Sequence, residues 1–158
     1  MVREIHLLAG LNGSGKTTRA RQLAQALPGI RFSLDEWMLR LHGLRFDDAR
    51  YPELAERCRE LIWSTADQVL RTETAVILDW NMWSRARRAD AVRRANELGA
   101  VCHLHYLHVP LETARARAAG RTDPTSHRLA PEGIDHLAQL FEPPGVSEGF
   151  ILHEVFDP

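Results

Sequence analysis

The sequence predicts an α/β protein built on a mostly parallel sheet with helices on both faces. Apolar runs typical of buried strands alternate with amphipathic runs typical of helices along the 158 residues. The first apolar run is followed directly by the glycine-rich segment 10–17, which reads G-x-x-x-x-G-K-T, and a helical pattern begins after it. A buried strand, a glycine-rich loop and a helix in this order are characteristic of phosphate-binding loops.

Each element follows from hydrophobic periodicity and from the residues that begin and end it. We expect strands at 4–9, 30–34, 75–78, 101–109 and 150–155. We expect helices at 17–27, 36–42, 53–72, 84–98, 111–119 and 131–141. Pro28, Gly29 and Gly99 are stop signals, whereas Ser84 and Pro110 suit helix starts. The length predicts a single domain over residues 1–158.

The composition excludes several classes of protein. A hydrophobic content of 44% with 26% charged residues is ordinary for a soluble globular chain. The formal net charge of −1 argues against a protein that coats nucleic acid or a membrane surface, although a local basic groove is compatible with it. Cys58 and Cys102 lack C-x-x-C spacing, which indicates reduced thiols. With no signal peptide and no apolar run near 18 residues, we expect a cytoplasmic protein without membrane contact.

The glycine-rich segment has the residue types that bind a nucleoside triphosphate. Glycines let the backbone N–H groups point inward as an anion-binding nest, and the following helix start adds a partial positive charge. Lys16, the only lysine among 20 basic residues, reaches the β- and γ-phosphates, and the Thr17 hydroxyl ligates Mg²⁺. The predicted nucleotide-binding residues here are Gly10, Asn12, Gly13, Ser14, Gly15, Lys16, Thr17 and Thr18. A glycine-rich turn that binds nothing is the alternative.

Two aspartates follow predicted strands, where ligands bind in parallel α/β sheets. Asp79 closes an apolar strand, the position from which phosphate-binding-loop proteins present a carboxylate to Mg²⁺. Asp35 follows the second strand, and a carboxylate there would accept a proton from an acceptor hydroxyl. The alternatives are structural, because Asp79 also suits a turn or helix cap and Asp35 also suits the cap of the helix that follows it.

Arginines cluster around the irregular segment after the fourth strand. Arginines there can stabilise the charge that develops on a phosphoryl group during transfer. We favour Arg121 as catalytic and assign Arg117 and Arg128 to the nucleotide phosphates, with Arg115 nearby. Spacing places Arg117 and Arg121 on one helix face if the helix continues that far. The alternative is that each of these arginines is a solvated charge on the surface.

Aromatic and histidine residues offer weaker signals. Trp37, Trp80 and Trp83 follow strand ends and suit either an acceptor pocket or ordinary packing. Strand geometry places His103 and His105 on one sheet face and His108 on the other, so these three do not predict a single metal site. We expect these three histidines to lie on the surface of the strand.

Four segments together resemble a known family. They are 10–17, 33–38 (S-L-D-E-W-M), 78–81 (L-D-W-N) and 106–112 (Y-L-H-V-P-L-E). They resemble the small P-loop kinases grouped as AAA domain proteins, of the zeta-toxin and polynucleotide-kinase type, and the similarity extends over about 5–141. The resemblance implies a P-loop kinase-like parallel sheet in the order 2-3-1-4-5, with a lid at about 120–130.

The resemblance also implies roles for single residues. Asp35 matches the aspartate that activates the acceptor hydroxyl in 5′-hydroxyl polynucleotide kinases, and Arg121 matches a lid arginine that contacts the donor phosphates. Those kinases place a nucleic-acid-contacting arginine where this chain has Met38, and the family's Arg-Asn at the lid start is Arg121-Thr122 here. The departure at Met38 argues against a polynucleotide acceptor, and the resemblance indicates the donor chemistry better than the identity of the acceptor.

These observations predict an ATP- and Mg²⁺-dependent kinase that transfers the γ-phosphate to a hydroxyl. Lys16, Asp35 and Arg121 are the expected catalytic residues, and Thr17 and Asp79 are the expected metal ligands. The acceptor is a small molecule such as a nucleoside, sugar or antibiotic, or a nucleic acid end, and a zeta-toxin-like nucleotide-sugar kinase shares the same donor residues. A nucleotide-dependent switch is the non-enzyme alternative, against which stand the absence of N-K-x-D and D-E-x-H motifs and the short chain.

Overall fold

In the computed structural model, residues 2–122 and 129–158 are described, and they form a five-stranded parallel sheet with helices on both faces. The strands are β1 (Glu4–Gly10), β2 (Gly29–Ser33), β3 (Ala75–Asn81), β4 (Val101–His108) and β5 (Ile151–Phe156). The helices are α1 (Lys16–Ala26), α2 (Leu34–His42), α3 (Tyr51–Leu70), α4 (Arg85–Glu97), α5 (Leu111–Ala119) and α6 (Pro131–Leu140). The strand order β2-β3-β1-β4-β5 confirms the predicted fold class.

The core lies on two sides of the central strand β1, whose successive side chains point to opposite faces of the sheet. Ile5 and Leu7 belong to the larger cluster, which the buried residues of α3 and α4 complete. Leu8 belongs to a smaller cluster together with Ala20 and Leu23 of α1. Both faces are therefore covered, and the carboxyl ends of the strands are left to form a site.

Two boundaries differ from the sequence expectation in ways that affect the site. β3 continues past Asp79 to Asn81, because Trp80 is buried in the core and the pairing of β1 with β3 shifts register between Leu7 and Leu8. The prediction that Asp79 closes this strand is therefore wrong, and Asp79 lies within the sheet. α2 begins at Leu34, so Asp35 lies in its first turn rather than in the preceding connection.

The predicted lid at about 120–130 spans the gap between α5 and α6. Residues 123–128 lie outside the described residues, and with them Arg128. The helices on either side are joined by an ion pair, in which Nε of Arg115 lies 2.6 Å from Oδ1 of Asp135. No helix within 2–122 and 129–158 combines the length and the apolar character needed to cross a membrane.

Candidate active site

The glycine-rich loop is packed so tightly that it requires its glycines. Gly13 has φ +86, and a Cβ on it would overlap the carbonyl oxygen of Ala114 in α5. α1 begins at Lys16 after an N-cap Gly15 that supplies no side-chain hydrogen bond, and the first turn has no acidic residue. The N–H groups of this helix start are therefore available to an external anion, which the positive end of the helix dipole also favours.

The ammonium group of Lys16 lies inside this loop. Its Nζ donates hydrogen bonds to the carbonyl oxygens of Gly10 at 3.1 Å and Leu11 at 2.8 Å. The pKa of Lys16 is lowered to about 8, mainly by burial. The carboxylate of Asp79 acts in the opposite direction, Arg121 adds to the lowering, and Asp35 also raises the pKa. The charges predicted from three separate segments of the sequence therefore all act on this ammonium group.

Thr17 and Asp79 meet beneath the loop. Thr17 Oγ1 donates to Asp79 Oδ1 at 3.3 Å, and the carboxylate of Asp79 is 6% exposed. Arg31 of β2 holds the other oxygen, Oδ2, from Nε at 2.8 Å and from Nη2 at 2.7 Å. Since Asp79 is within β3 and ligated in this way, it is neither a turn nor a helix-cap residue. No local pattern in the sequence indicates this role of Arg31, which reaches Asp79 only through the pairing of β2 with β3.

Asn81 is a further residue that the sequence interpretation missed. Its Nδ2 donates to the carbonyl oxygen of Gly10 at 2.9 Å, and its buried Oδ1 has no partner among the described residues. This bond ties the end of β3 to the start of the glycine-rich loop. Asn81 therefore positions the loop that Lys16 and Thr17 depend on.

Asp35 lies in the first turn of α2, but it is not the cap of that helix. The N-cap is Ser33, whose hydroxyl oxygen accepts from the backbone N–H of Glu36 at 3.2 Å. The Asp35 charge acts on Lys16. It also acts on Tyr51, whose pKa is raised first by burial and then by Asp35. The Asp35 charge is thus within electrostatic reach of both the Lys16 ammonium and the Tyr51 hydroxyl.

The predicted arginines separate into different environments. α5 ends at Ala119, so Arg117 and Arg121 do not share a helix face, and the condition of that prediction is not met. Arg121 lies beyond the helix end within electrostatic reach of Lys16. Arg117 is exposed on α5, and Arg115 makes the ion pair with Asp135. Thr18 and Asn12, predicted nucleotide contacts, are exposed and half-buried respectively, and Ser14 is fully buried.

Comparisons with known proteins identify the family. The AAA domain family matches residues 5–144. The chain belongs to this family. No relative was found among curated protein sequences.

Several solved structures have folds similar to that of this AAA domain. A chain of the Pnkp1/Rnl/Hen1 RNA repair complex has a TM-score of 0.73 at 24% identity, with 88% of this chain and 44% of that chain covered. Kti12 from Chaetomium thermophilum, solved with ADP-AlF3, has a TM-score of 0.71 at 19% identity, with 97% and 89% covered. A gluconokinase from Sinorhizobium meliloti 1021 has a TM-score of 0.61 at 17% identity, with 98% and 84% covered. Family and fold together support a nucleotide-binding, kinase-type function.

A pocket of about 250 Å³ in this AAA domain, named here the α3/α4 pocket, is lined by residues of those helices and of the end of β3. Its lining includes Trp63, Trp80 and Arg87. Arg87 lies over the ring of Trp83 at 5.6 Å and makes no ion pair within the described residues. Burial, followed by the nearby charge of Arg59, lowers the pKa of Arg87. This pocket therefore contains a partly desolvated positive charge.

The three tryptophans predicted on one rim do not share one role. Trp80 lines the α3/α4 pocket, and Trp83 stacks beneath Arg87 beside it. Trp37 instead packs edge-on against Phe32 in the core, with ring centroids 5.8 Å apart. Trp63, from the middle of α3, lines the pocket without having been predicted to do so.

A second cleft, of about 410 Å³, lies beyond the ends of β4 and β5. Leu11 of the glycine-rich loop contributes to its wall together with the rings of Tyr106, His108, Phe141 and Phe156. It is thus an aromatic cleft that begins at the phosphate loop. We call it the aromatic cleft.

Histidines on the α1 face of the sheet form a stacked group at some distance from the loop. His6 stacks on His103 with centroids 4.6 Å apart, and His105 stacks on His153 at 4.7 Å. These four residues are called the histidine cluster. The expectation of surface histidines is wrong for His105, which is 2% exposed because β4 lies between β1 and β5. Burial lowers the pKa of His6 to about 4 and that of His105 to about 3.

Proposed function

We propose that this chain is an ATP- and Mg²⁺-dependent phosphotransferase that transfers the γ-phosphoryl group to an alcohol hydroxyl. The observation that carries the proposal is the convergence on the Lys16 ammonium of Asp79, Arg121 and Asp35, which come from three separate segments of the fold. A protein that only bound nucleotide would need Asp79. Transfer of a phosphoryl group also needs a carboxylate at the acceptor side, which Asp35 supplies, and a cation over the phosphates, which Arg121 supplies.

The donor half of the site follows from the loop geometry. The N–H groups of the loop and of the α1 start bind the phosphates, and Lys16 turns from the loop carbonyls to the β- and γ-oxygens. Arg121 stabilises the charge that develops on the transferred group, with Arg117 and Arg128 as further phosphate contacts. The aromatic cleft receives the base, because apolar rings continue directly from Leu11 of the loop.

The oxygen donors beside the loop fit Mg²⁺, which prefers hard oxygen ligands. Thr17 would supply its hydroxyl oxygen, and Asp79 Oδ1 is already directed at that hydroxyl. Arg31 fixes the orientation of Asp79 by holding Oδ2. Mg²⁺ held by these residues would neutralise part of the phosphate charge.

The acceptor half of the site has Asp35 at one end and the α3/α4 pocket near it. The charges of Asp35 and Arg87 both act on the pKa of Tyr51, the first raising it and the second lowering it, which supports one acceptor site between them. Asp35 accepts the proton of the acceptor hydroxyl, and Arg87 pairs with a negative group elsewhere on the acceptor. Met38 is fully buried, so the position at which related polynucleotide kinases have an arginine presents no contact here. We therefore favour a small anionic alcohol over a nucleic acid end.

The experiment offers labelled ATP and Mg²⁺ with a panel of acceptors. The panel contains aldonic acids, sugar phosphates, neutral sugars, nucleosides, nucleotide sugars, aminoglycosides and 5′-hydroxyl oligonucleotides. We expect transfer to an anionic alcohol, and Asp35→Asn should lower kcat for it by about 10²- to 10⁴-fold because the general base is lost. Asp67→Asn, which changes a half-buried carboxylate on α3 that pairs with Arg71, is the matched control.

Each other outcome contradicts a defined part of the proposal. Wild-type turnover in Asp35→Asn would contradict the assignment of Asp35 as the general base. A preference for neutral acceptors or oligonucleotides would contradict the proposed role of Arg87. ATP hydrolysis without transfer, together with a protein partner that binds only the ATP form, would indicate a nucleotide-dependent switch.

A further inference from the structure

The amino-terminal half of the sheet contains a polar group that phosphoryl transfer does not use. Glu4 and His6 of β1 lie on the same sheet face as His103 of β4, and His6 pairs in register with His103. A β-strand rises about 3.3 Å per residue, so this group is about 13–20 Å from Gly10 along β1. It is therefore separate from the nucleotide site.

Three ligand atoms of this group converge. One atom each from Glu4, His6 and His103 lies within 4.8 Å of the other two. The Glu4 carboxylate is 3.5 Å from His6 Nε2 and 3.8 Å from His103 Nε2, distances that are long for hydrogen bonds. In a tetrahedral zinc site with bonds of 2.0–2.1 Å, neighbouring ligand atoms are about 3.3 Å apart. The two separations from Glu4 are within about 0.5 Å of that value, and the two imidazole nitrogens lie within 4.8 Å of each other.

The two imidazole nitrogens that face Glu4 have no hydrogen-bond partner. Nε2 of His6 and Nε2 of His103 are both buried and unpaired among the described residues. His6 as a whole is only 5% exposed, so an unpaired polar atom there is costly. The Glu4 side chain is 34% exposed and provides an approach from solvent. A cation at this point would satisfy all three groups.

The other nitrogen of each ring is already hydrogen-bonded. His6 Nδ1 is 3.0 Å from His105 Nε2, and His103 Nδ1 is 2.9 Å from His153 Nε2. Metal-binding histidines usually donate their second N–H to a fixed acceptor, which orients the ring and sets its tautomer. His105 and His153 supply such acceptors. The histidine cluster is thus organised as two ligands with two supporting rings.

We propose that Glu4, His6 and His103 form a Zn²⁺ site that joins β1 to β4. Two imidazoles and a carboxylate are the donor set of a borderline metal such as Zn²⁺, whereas Mg²⁺ prefers oxygen ligands alone. A solvent molecule completes the four-coordinate shell. Because the ligands belong to adjacent strands, the metal stabilises the sheet rather than taking part in phosphoryl transfer, and it binds only the folded chain.

Arg19 of α1 opposes this arrangement. Its Nη2 lies 3.4 Å from His105 Nδ1, the atom that carries the proton when His105 Nε2 accepts from His6. The guanidinium must therefore turn away when the metal binds. Replacing it with methionine should preserve the aliphatic packing and tighten Zn²⁺ binding.

The test titrates tag-free, chelator-treated protein with Zn²⁺ against a chromophoric chelator and records the melting temperature with and without Zn²⁺. We expect one Zn²⁺ per chain and a higher melting temperature with Zn²⁺ than in its absence. Glu4→Gln, His6→Asn and His103→Asn should each weaken binding by more than about 10-fold, and His105→Asn and His153→Asn by about 10- to 100-fold. Bound Co²⁺ should give the intense visible absorption of a tetrahedral site.

The matched control is His108→Asn. His108 Nε2 lies 3.3 Å from Glu154, but its ring neighbours are Tyr106 and Phe156 rather than histidines. Its substitution should leave Zn²⁺ affinity unchanged. The absence of stoichiometric binding to the wild-type chain would overturn the proposal without any variant. Equal affinity in folded wild-type, His6→Asn and His103→Asn proteins would also overturn it, as would equal loss in His108→Asn.

Discussion

The starts of α1 and α2 both lie at the carboxyl ends of the strands, after β1 and β2, which β3 separates. They satisfy their N–H groups in opposite ways. α1 begins after Gly15 with no side-chain cap and no acidic residue in its first turn. α2 begins after Ser33, which caps it, and has two acidic residues in its first turn, Asp35 and Glu36. One helix start is left for an external anion and the other is satisfied internally, so the second can present a carboxylate to the same cleft.

The largest expected effect comes from changing the cation at the open start. Lys16→Arg should lower kcat by about 10²- to 10³-fold, because a planar guanidinium cannot occupy the space in which a compact ammonium contacts Gly10 and Leu11. Steady-state kinetics and calorimetric ATP binding measure the loss. Arg21→Lys, a charge-conserving exchange on the exposed face of α1, is the control. Turnover above a tenth of the wild-type value in Lys16→Arg would contradict the role of the ammonium.

An intermediate effect is expected at two glycines whose backbone has the left-handed conformation. Gly13→Ala and Gly43→Ala both place a Cβ at positive φ, of +86 and +62 respectively, which costs about 1–2 kcal/mol. At Gly13 the Cβ also overlaps the Ala114 carbonyl, whereas nothing lies within 4 Å at Gly43, the C-cap of α2. We expect Gly43→Ala to lose stability alone and Gly13→Ala to lose ATP affinity as well, measured by denaturant unfolding and calorimetry. Equal ATP affinity in the two variants would show that contact with α5 does not hold the loop.

The smallest effect is expected at the capped start. Ser33→Ala removes the hydroxyl that accepts from Glu36, and Ser84→Ala removes the equivalent cap of α4, which accepts from Arg87 at 3.2 Å. Each should lower the free energy of unfolding by about 1 kcal/mol. For a chain of this size that is a fall of about 2–4 °C in melting temperature. A loss at Ser84 without one at Ser33 would mean that the acidic residues of α2 stabilise its start without the cap.

The fold was largely predictable because its signals are local. Strand and helix periodicity, helix stop residues and the glycine-rich segment each act over a few residues, and the strand order came from the family resemblance. The errors fall where tertiary pairing overrides local pattern. β3 continues through Trp80 and Asn81 because the larger core buries the tryptophan and a register shift against β1 lets the strand run on.

The site was predictable where a residue belongs to a local motif or closes an apolar run of the sequence, and not where its contacts depend on the pairing of two strands. Lys16, Thr17, Asp35 and Asp79 were found from position alone, although their roles stay predictions. Arg31 was missed because its contact with Asp79 depends on the register of β2 with β3, which no local pattern encodes. The proposed Zn²⁺ site also depends on strand pairing. His6 is a single polar residue in an apolar run, and only the pairing of β1 with β4 brings it against His103.

The single lysine makes chemical labelling of this protein unusually selective. With 19 of its 20 basic side chains being arginines, the chain offers Lys16 as its sole side-chain amine. Because the pKa of Lys16 is lowered to about 8, about half of these amines are neutral and nucleophilic at pH 8, whereas an ordinary lysine is almost wholly protonated there. An amine-reactive reagent therefore modifies the phosphate loop in preference to other side chains, and nucleotide bound to the loop shields it. The mass of the peptide that contains Lys16 then reports occupancy of the nucleotide site without any knowledge of the acceptor.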